Sequence, residues 1–343
     1  MAKVTLQSIA DRVGVSRMTV SNAFSRPDQL SAGLREKILA AAAELGYVGP
    51  DPAARALARG RTGAIGLLLN GSVGEVFEDA VSAEFFASIT DALAAHGLAV
   101  TLLTPPRGDG FFPARDVAID GALVYSCNAA TAGIDWLERR KVPMVTIDEV
   151  LRPGVPGVNI DDRGGARAAA QHLVDLGHTA FGILALQDAE KPGPTTDLAT
   201  LSDSYPSRER MLGWHDVLDA AGLEPVVRLA PYTPRAAAHD VGAQLLDAQV
   251  TAALCFSDVF AAAVVRAAEE RGLAVPADLS VVGFDDNPLA TTMRPPLTTV
   301  RQDIAAKGRT AVARLVDVLA DGPSDSQLLP TELVVRESTA PPR

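Results

Sequence analysis

Cysteine is nearly absent from this 343-residue chain: Cys127 and Cys255 stand far apart, too few for a disulfide framework or a metal cluster. No stretch approaches the roughly 18 uninterrupted apolar residues of a membrane span. The opening MAKVTLQSIA lacks the apolar run of a secretory signal. A cytoplasmic protein without a membrane partner is therefore expected. Catalytic signatures are missing as well. Asn70-Gly71-Ser72 has the wrong spacing for a nucleophile elbow, Gly60, Gly63 and Gly66 make no dinucleotide fingerprint, and no phosphate-binding loop occurs. The five histidines (96, 172, 178, 215, 239) never fall at i and i+4, so no zinc site is expected. His172 and His178 read as packing or capping residues. The expectation is no catalytic residue, no metal and no cofactor.

What is present is an ordinary soluble composition, 48% hydrophobic and 21% charged, long enough for two or three domains with real cores. The net charge of −11 is unevenly spread. Residues 1–61 hold nine basic residues against five acidic ones, a surplus of four, which leaves −15 on the remaining 282. A basic head on an acidic body points to nucleic acid for the head and something else for the body.

Residues 5–45 read as three short helices. Thr5 caps a first helix whose apolar positions Leu6, Ile9, Ala10 and Val13 recur at helical spacing. Gly14 stops it at a tight turn, and Ser16 or a neighbour caps a second helix running to about Phe24. A third spans about Ser31 to Leu45. The breaker cluster Gly49-Pro50-Asp51-Pro52 and the stretch AARALARGR then form a linker. From Ala64 short apolar runs alternate with helical patterns. Strands are predicted at 64–70, 98–104, 121–126, 143–148, 180–186, 251–256 and 279–284. Helices are predicted around 81–96, 131–141, 163–177, 207–222, 235–249, 257–271 and 303–320. Continuous apolar strands alternating with helices mean parallel sheets covered on both faces, here two α/β lobes. Ligands of such folds sit at the carboxyl ends of strands.

LQSIADRVGVSRMTVSNAF fits a helix-turn-helix, whose second helix lies in the major groove. Its exposed face presents Ser16, Arg17, Met18, Ser21 and Asn22. Arg suits guanine and Asn suits adenine, while Ser16, Thr19 and Ser21 suit phosphates. Thr5, at the start of the first helix, is placed with these DNA contacts.

VTLQSIADRVGVSRMTVSNAF followed by SAGLREKILAAAAELGYV resembles the DNA-binding head of the lactose-repressor (LacI) family of bacterial transcription regulators. The resemblance continues through IDGALVY, DDRGGARAAAQHLVDLGH, SRERMLGW, FSDVFAAAVVRAAEERGLAVPADLSVVGFDD and PPLTTVRQD, in the family's order. It implies an all-α helix-turn-helix head (1–48), a hinge helix (49–61) and a two-lobed core (62–343) like periplasmic sugar-binding proteins. The lobes would be about 62–160 plus 289–320 and about 161–288 plus 321–343. It also implies a homodimer on a two-fold operator of double-stranded DNA. Arg17, Met18 and Asn22 take the family's base-reading positions. Leu57 takes that of the side chain wedged into the minor groove, and Arg55 and Arg59 would add phosphate or groove contacts. Too short to be helical alone, the hinge is expected to order only on operator DNA.

In the core, the same resemblance points to Phe85, Phe86, Tyr125, Asp148, Arg210, Tyr232, Ser257 and Asp285 as effector contacts. An acid at a strand end can instead cap a helix, the reading favoured for Asp258 and Asp286. Core packing is the competing reading for either Phe, and Trp136 and Trp214 read as packing residues. An Arg, acids and aromatic faces suit a sugar, and a nucleobase could use the same kit. The segment 187–206 exceeds the family's loop and could cover the cleft mouth. The tail ESTAPPR has no heptad repeat, so a tetramer-forming coiled coil is not expected. The favoured function is a homodimeric repressor controlled by a small molecule, most readily a sugar. The alternatives are a sugar- or nucleobase-binding protein without a regulatory DNA role, and an enzyme built on the same lobes.

Overall fold

The structure, a computed structural model, describes residues 4–49, 51–69, 74, 79–104, 110–125, 132–186, 204–231, 235–323 and 325–343. Backbone contacts divide the chain into two compact units, Met1–Gly63 and Ala64–Arg343.

The first unit holds α1 (Leu6–Val13), α2 (Arg17–Ser25), α3 (Ala32–Glu44) and α4 (Pro52–Arg59). Ile9, Ala10, Val20, Ala23, Ile38, Ala41 and Ala42 form its buried core, with Phe24 and Tyr47 edge to face at 5.6 Å. Four of these seven are alanines, so helices approach closely but little apolar area is buried. A unit this small has little stability to spare. Helix α4 is formed in the structure, where the sequence led us to expect order only on operator DNA. Its ends explain the helix: Asp51 accepts from the Ala53 and Ala54 N–H groups, proline opens it, and Gly60 closes it in the left-handed region.

The second unit contains two six-stranded sheets. The first runs β11-β5-β4-β3-β1-β2, where β1 is Ala64–Leu69, β2 Ala99–Leu103, β3 Gly121–Tyr125, β4 Met144–Ile147, β5 Gly157–Ile160 and β11 Gln327–Leu329. All its pairings are parallel. Strand β1 shows why both faces are covered. Ile65, Leu67 and Leu69 face α5 (Ala80–Ala95) and α13 (Ile304–Leu319), whereas Leu68 faces α6 (Pro113–Asp116) and α7 (Ala132–Arg139).

The second sheet runs β12-β10-β9-β8-β6-β7, with β6 Phe181–Leu186, β7 Val226–Ala230, β8 Ala252–Cys255, β9 Ser280–Asp285, β10 Thr298–Gln302 and β12 Thr331–Val334. Only edge strand β12 is antiparallel. Helices α8 (Asp162–Asp175) and α9 (Tyr205–Ala220) cover one face, α10 (Arg235–Leu246) and α11 (Asp258–Glu270) the other, and α12 (Pro288–Thr292) is a short helix. Trp214 is buried in this core, as expected of a packing residue.

The lobe limits need correction at two places. Residues 298–302 pair with β9 in the second sheet, and residues 327–329 pair with β5 in the first. The chain thus crosses between lobes three times, at Asp161, Asp303 and Pro330. Two crossings are fixed by caps: Asp161 accepts from Gly164 N–H at 2.9 Å and Asp303 from Ala306 N–H at 2.7 Å.

Candidate functional site

In the head, Thr5 and Ser8 make a reciprocal capping box, each side-chain oxygen accepting the other's N–H at 3.3 Å. Gly14 turns the chain at φ 76°, where a side chain would be strained. Ser16 Oγ accepts from Thr19 N–H at 3.0 Å and lies 2.8 Å from Thr19 Oγ1, so the two hydroxyls open α2 together. Arg17 and Met18 project from that first turn, with Met18 69% exposed. Asn22 follows one turn on, its Nδ2 donating to Gln29 Oε1 at 3.2 Å. Gln29 was not singled out in the sequence, because nothing local ties it to α2. On α4, Arg55 is exposed and Leu57 is 86% exposed.

The core brings Asp148, Arg210 and Asp285 into one buried network. Asp148 follows β4 and Asp285 ends β9, both with positive φ (55° and 110°), conformations that non-glycine residues adopt at a cost. Arg210, on α9, donates through Nε to Asp162 Oδ1 at 2.8 Å and through Nη1 to the Phe256 carbonyl at 2.6 Å. Its Nη1 is also 3.5 Å from Asp285 Oδ1. The guanidinium lies 3.6 Å from the Phe284 ring centre and 4.8 Å from that of Phe256. Asp285 accepts from Gln302 Nε2 at 2.7 Å. Gln302 Oε1 in turn accepts from Lys307 Nζ at 3.1 Å, and Lys307 Nζ donates to Asp148 Oδ2 at 2.6 Å. An unbroken chain, Asp148–Lys307–Gln302–Asp285–Arg210–Asp162, therefore joins side chains of both lobes.

Three links of that chain, Asp162, Gln302 and Lys307, were not foreseen. Lys307 is only 1% exposed yet sits on a helix whose pattern reads as an ordinary amphipath. Burial pushes the Asp162 carboxyl up to about 6 against the pull of Arg210, and pushes Asp285 well above the usual range. Among the described residues, Asp148 Oδ1 and Asp162 Oδ2 are buried and have no hydrogen-bond partner.

Around this network, Phe85 stacks on Tyr125 at 4.6 Å between ring centres and Phe86 meets Tyr125 edge-on at 5.9 Å. Phe85 is wholly buried in the first lobe's core, so its ring packs. Tyr125 is half-buried, 3.4 Å from Ser82 Oγ. Ser257 caps α11, its Oγ accepting from Phe260 N–H. Asp258, read beforehand as a cap, instead accepts from Thr299 Oγ1 at 2.5 Å and from Asn287 N–H at 2.9 Å. Burial pushes it to about 7. Asp286 is no cap either: it pairs with Arg301 at 2.7 Å and Arg336 at 2.6 Å. His178 bonds to Thr251, Ser280 and the Ala340 carbonyl, and His172 to Thr339, as packing residues do. Tyr232, Cys127 and most of the 187–206 segment lie outside the described residues. Among those described, no helix is long and apolar enough to cross a membrane.

Known proteins match both units. Residues 5–49 match the family described as "Bacterial regulatory proteins, lacI family", and residues 170–339 match a "Periplasmic binding protein-like domain". An HTH-type transcriptional regulator of Mycolicibacterium smegmatis is 36% identical over 359 residues, spanning 99% of this chain and 97% of that one. The Lac repressor dimer bound to operator and the anti-inducer ONPF is 28% identical with a TM-score of 0.81, covering 99% of this chain and 100% of the other. The complex of the regulator CelR with cellobiose is 28% identical with a TM-score of 0.68, covering 98% and 100%. A capped helix-turn-helix, a two-sheet core and relatives matching end to end agree: the chain belongs to the LacI family of bacterial regulatory proteins and is a DNA-binding transcriptional regulator, not an enzyme.

Proposed function

We propose that the protein is a repressor that binds a two-fold operator as a homodimer and lets go when a sugar enters between the core lobes. Arg17, Met18 and Asn22 read bases, while Thr5, Ser16, Thr19 and Ser21 hold phosphates. Arg55 and Leu57 engage the minor groove, where an apolar wedge unstacks a base step. Phe86, Tyr125, Asp148, Arg210 and Asp285 meet the effector, with Phe85 backing the aromatic face, Ser257 fixing α11 beside it and Tyr232 as a further contact.

The observation that carries this reading is the buried polar network between the lobes, which leaves carboxylate oxygens of Asp148 and Asp162 unpaired. Hydroxyl donors satisfy such acceptors, and CelR, similar over its full length, is a regulator seen with cellobiose. Linkage supplies the switch: a ligand that prefers one lobe arrangement shifts the operator-bound population, and one without preference shifts nothing.

Operator selection from random DNA, with and without a sugar pool, tests the proposal. Recovery of a two-fold site that is lost when sugar is added is the expected result. Enrichment of sites only in the presence of sugar would make the ligand a corepressor, and no enrichment under either condition would remove the repressor reading.

A further inference from the structure

We propose that the effector is a polyhydroxyl compound bearing no anionic group, and that the core rejects phosphorylated or carboxylated sugars. This rests on the sugar reading above and narrows it.

The argument is one of charge and valence. Two cations serve the network, Arg210 and Lys307, and both are at least nine-tenths buried. Each already has a carboxylate beside it: Arg210 is bonded to Asp162 and Lys307 to Asp148. Against them stand five buried carboxyl groups, Asp79, Asp148, Asp162, Asp258 and Asp285. These lie within one another's fields. Asp162 feels Asp148 across the lobes, and Asp285 feels both Asp79 and Asp258. Protons on the acids that burial raises bring the count toward balance, and no cation is left without a carboxylate beside it.

Valence points the same way. Asp148 Oδ1 and Asp162 Oδ2, one from each lobe, lack a hydrogen-bond partner among the described residues although their own residues are 5% and 1% exposed. Both are acceptors, and a hydroxyl can donate to either, whereas a phosphate or carboxylate offers them only further negative charge. An anion seated here would have to share Lys307 with Asp148, which would leave that buried carboxylate less compensated. The pairing of Lys307 with Asp148 thus acts as a charge lock on the site.

The test uses the intact protein and matched probes: ribose with ribose 5-phosphate, glucose with glucose 6-phosphate, and cellobiose with its aldonic acid. Thermal shift and operator release are read at constant ionic strength. The expected result is that any pair that acts does so through its neutral member, with the anion at least about a hundredfold weaker. An anionic member that equals or betters its parent overturns the proposal while the sugar reading stands. No response to any probe counts against both. Asp148→Asn supplies the second arm by releasing Lys307 from its carboxylate. That variant should gain at least about tenfold in affinity for glucose 6-phosphate and for inorganic phosphate relative to wild type, with the head unchanged in both proteins. Equal anion affinity in the two overturns the charge lock, and the wild-type probe pairs decide the matter alone if the variant does not fold.

Discussion

Asn22 carries two amide N–H groups and one carbonyl, and Gln29 Oε1 holds one of the N–H groups at 3.2 Å. The carbonyl and the other N–H remain for the N6 and N7 edge of adenine. Asn22→Ala should therefore cost about 1–3 kcal/mol at one base pair of each half-site. Gln29→Met, which removes the acceptor at similar volume, should weaken the same preference by about 1 kcal/mol and leave other positions alone. Competition among singly substituted operators measures both, and an unchanged preference in Gln29→Met would show that the amide needs no support. A different kind of residue sets the pH dependence. Asp162 near 6 and Asp258 near 7 hold protons more tightly in the folded chain than an ordinary carboxyl does. As pH falls through these values the folded state gains protons that the unfolded state does not, and stability rises. His172 and His178 oppose this, because burial lowers both below 6.5 and the unfolded chain then protonates first. The ligand-free protein should thus melt higher at about pH 6.5 than at about pH 8.5. Thermal melts at fixed ionic strength check this, and a melting point that climbs with pH over that range would contradict it.

Helices α8 and α9 pack closely because Gly213 has no side chain. A Cβ there would strike the Arg163 carbonyl oxygen and come within 2.8 Å of the Ala166 methyl. Backbone cannot yield as a long side chain can, so Gly213→Ala should cost about 1–3 kcal/mol, read by denaturant unfolding. A loss of less than a few tenths would mean that the two helices slide apart freely. Such close approaches are invisible in sequence, as are some strands. Strands β1, β2, β3, β4, β6, β8 and β9 are mostly apolar runs and fall within a residue or two of their predicted limits. Strand β10 was missed because it reads TTVRQ. Its Thr298, Thr299 and Gln302 are buried only because Ser338, Asp258 and Asp285 supply partners from far along the chain. Strand β5 hides behind Pro156 and contains Asn159, whose amide donates to the Glu149 carbonyl. The site divides in the same way. Asp148, Arg210 and Asp285 stand at strand ends or in a family motif, where sequence could find them. Lys307, Gln302 and Asp162 owe their roles to long-range pairing across β10 and the lobe crossings.

The head's surplus of positive charge and the body's −15 assign the two units different partners, and salt separates them. Operator affinity should fall steeply with ionic strength, with a log–log slope near about −7 if a dimer neutralises about eight phosphates. Binding of an uncharged sugar should barely respond to salt. Anisotropy titrations between about 50 and 200 mM salt measure both, and a flat operator curve would deny the head its electrostatic role. The three lobe crossings bear on how the two partners communicate. Strands β5 and β11 leave the first sheet as neighbours, β10 and β12 meet as neighbours in the second, and Pro330 locks its own φ between β11 and β12. Bodies joined by a single strap can slide, twist and swing. Three short straps side by side suppress sliding and leave one dominant rotation about the line through them. The cleft is then the short arm of a lever, and a small closure there swings the outer edge of the first lobe through a larger arc.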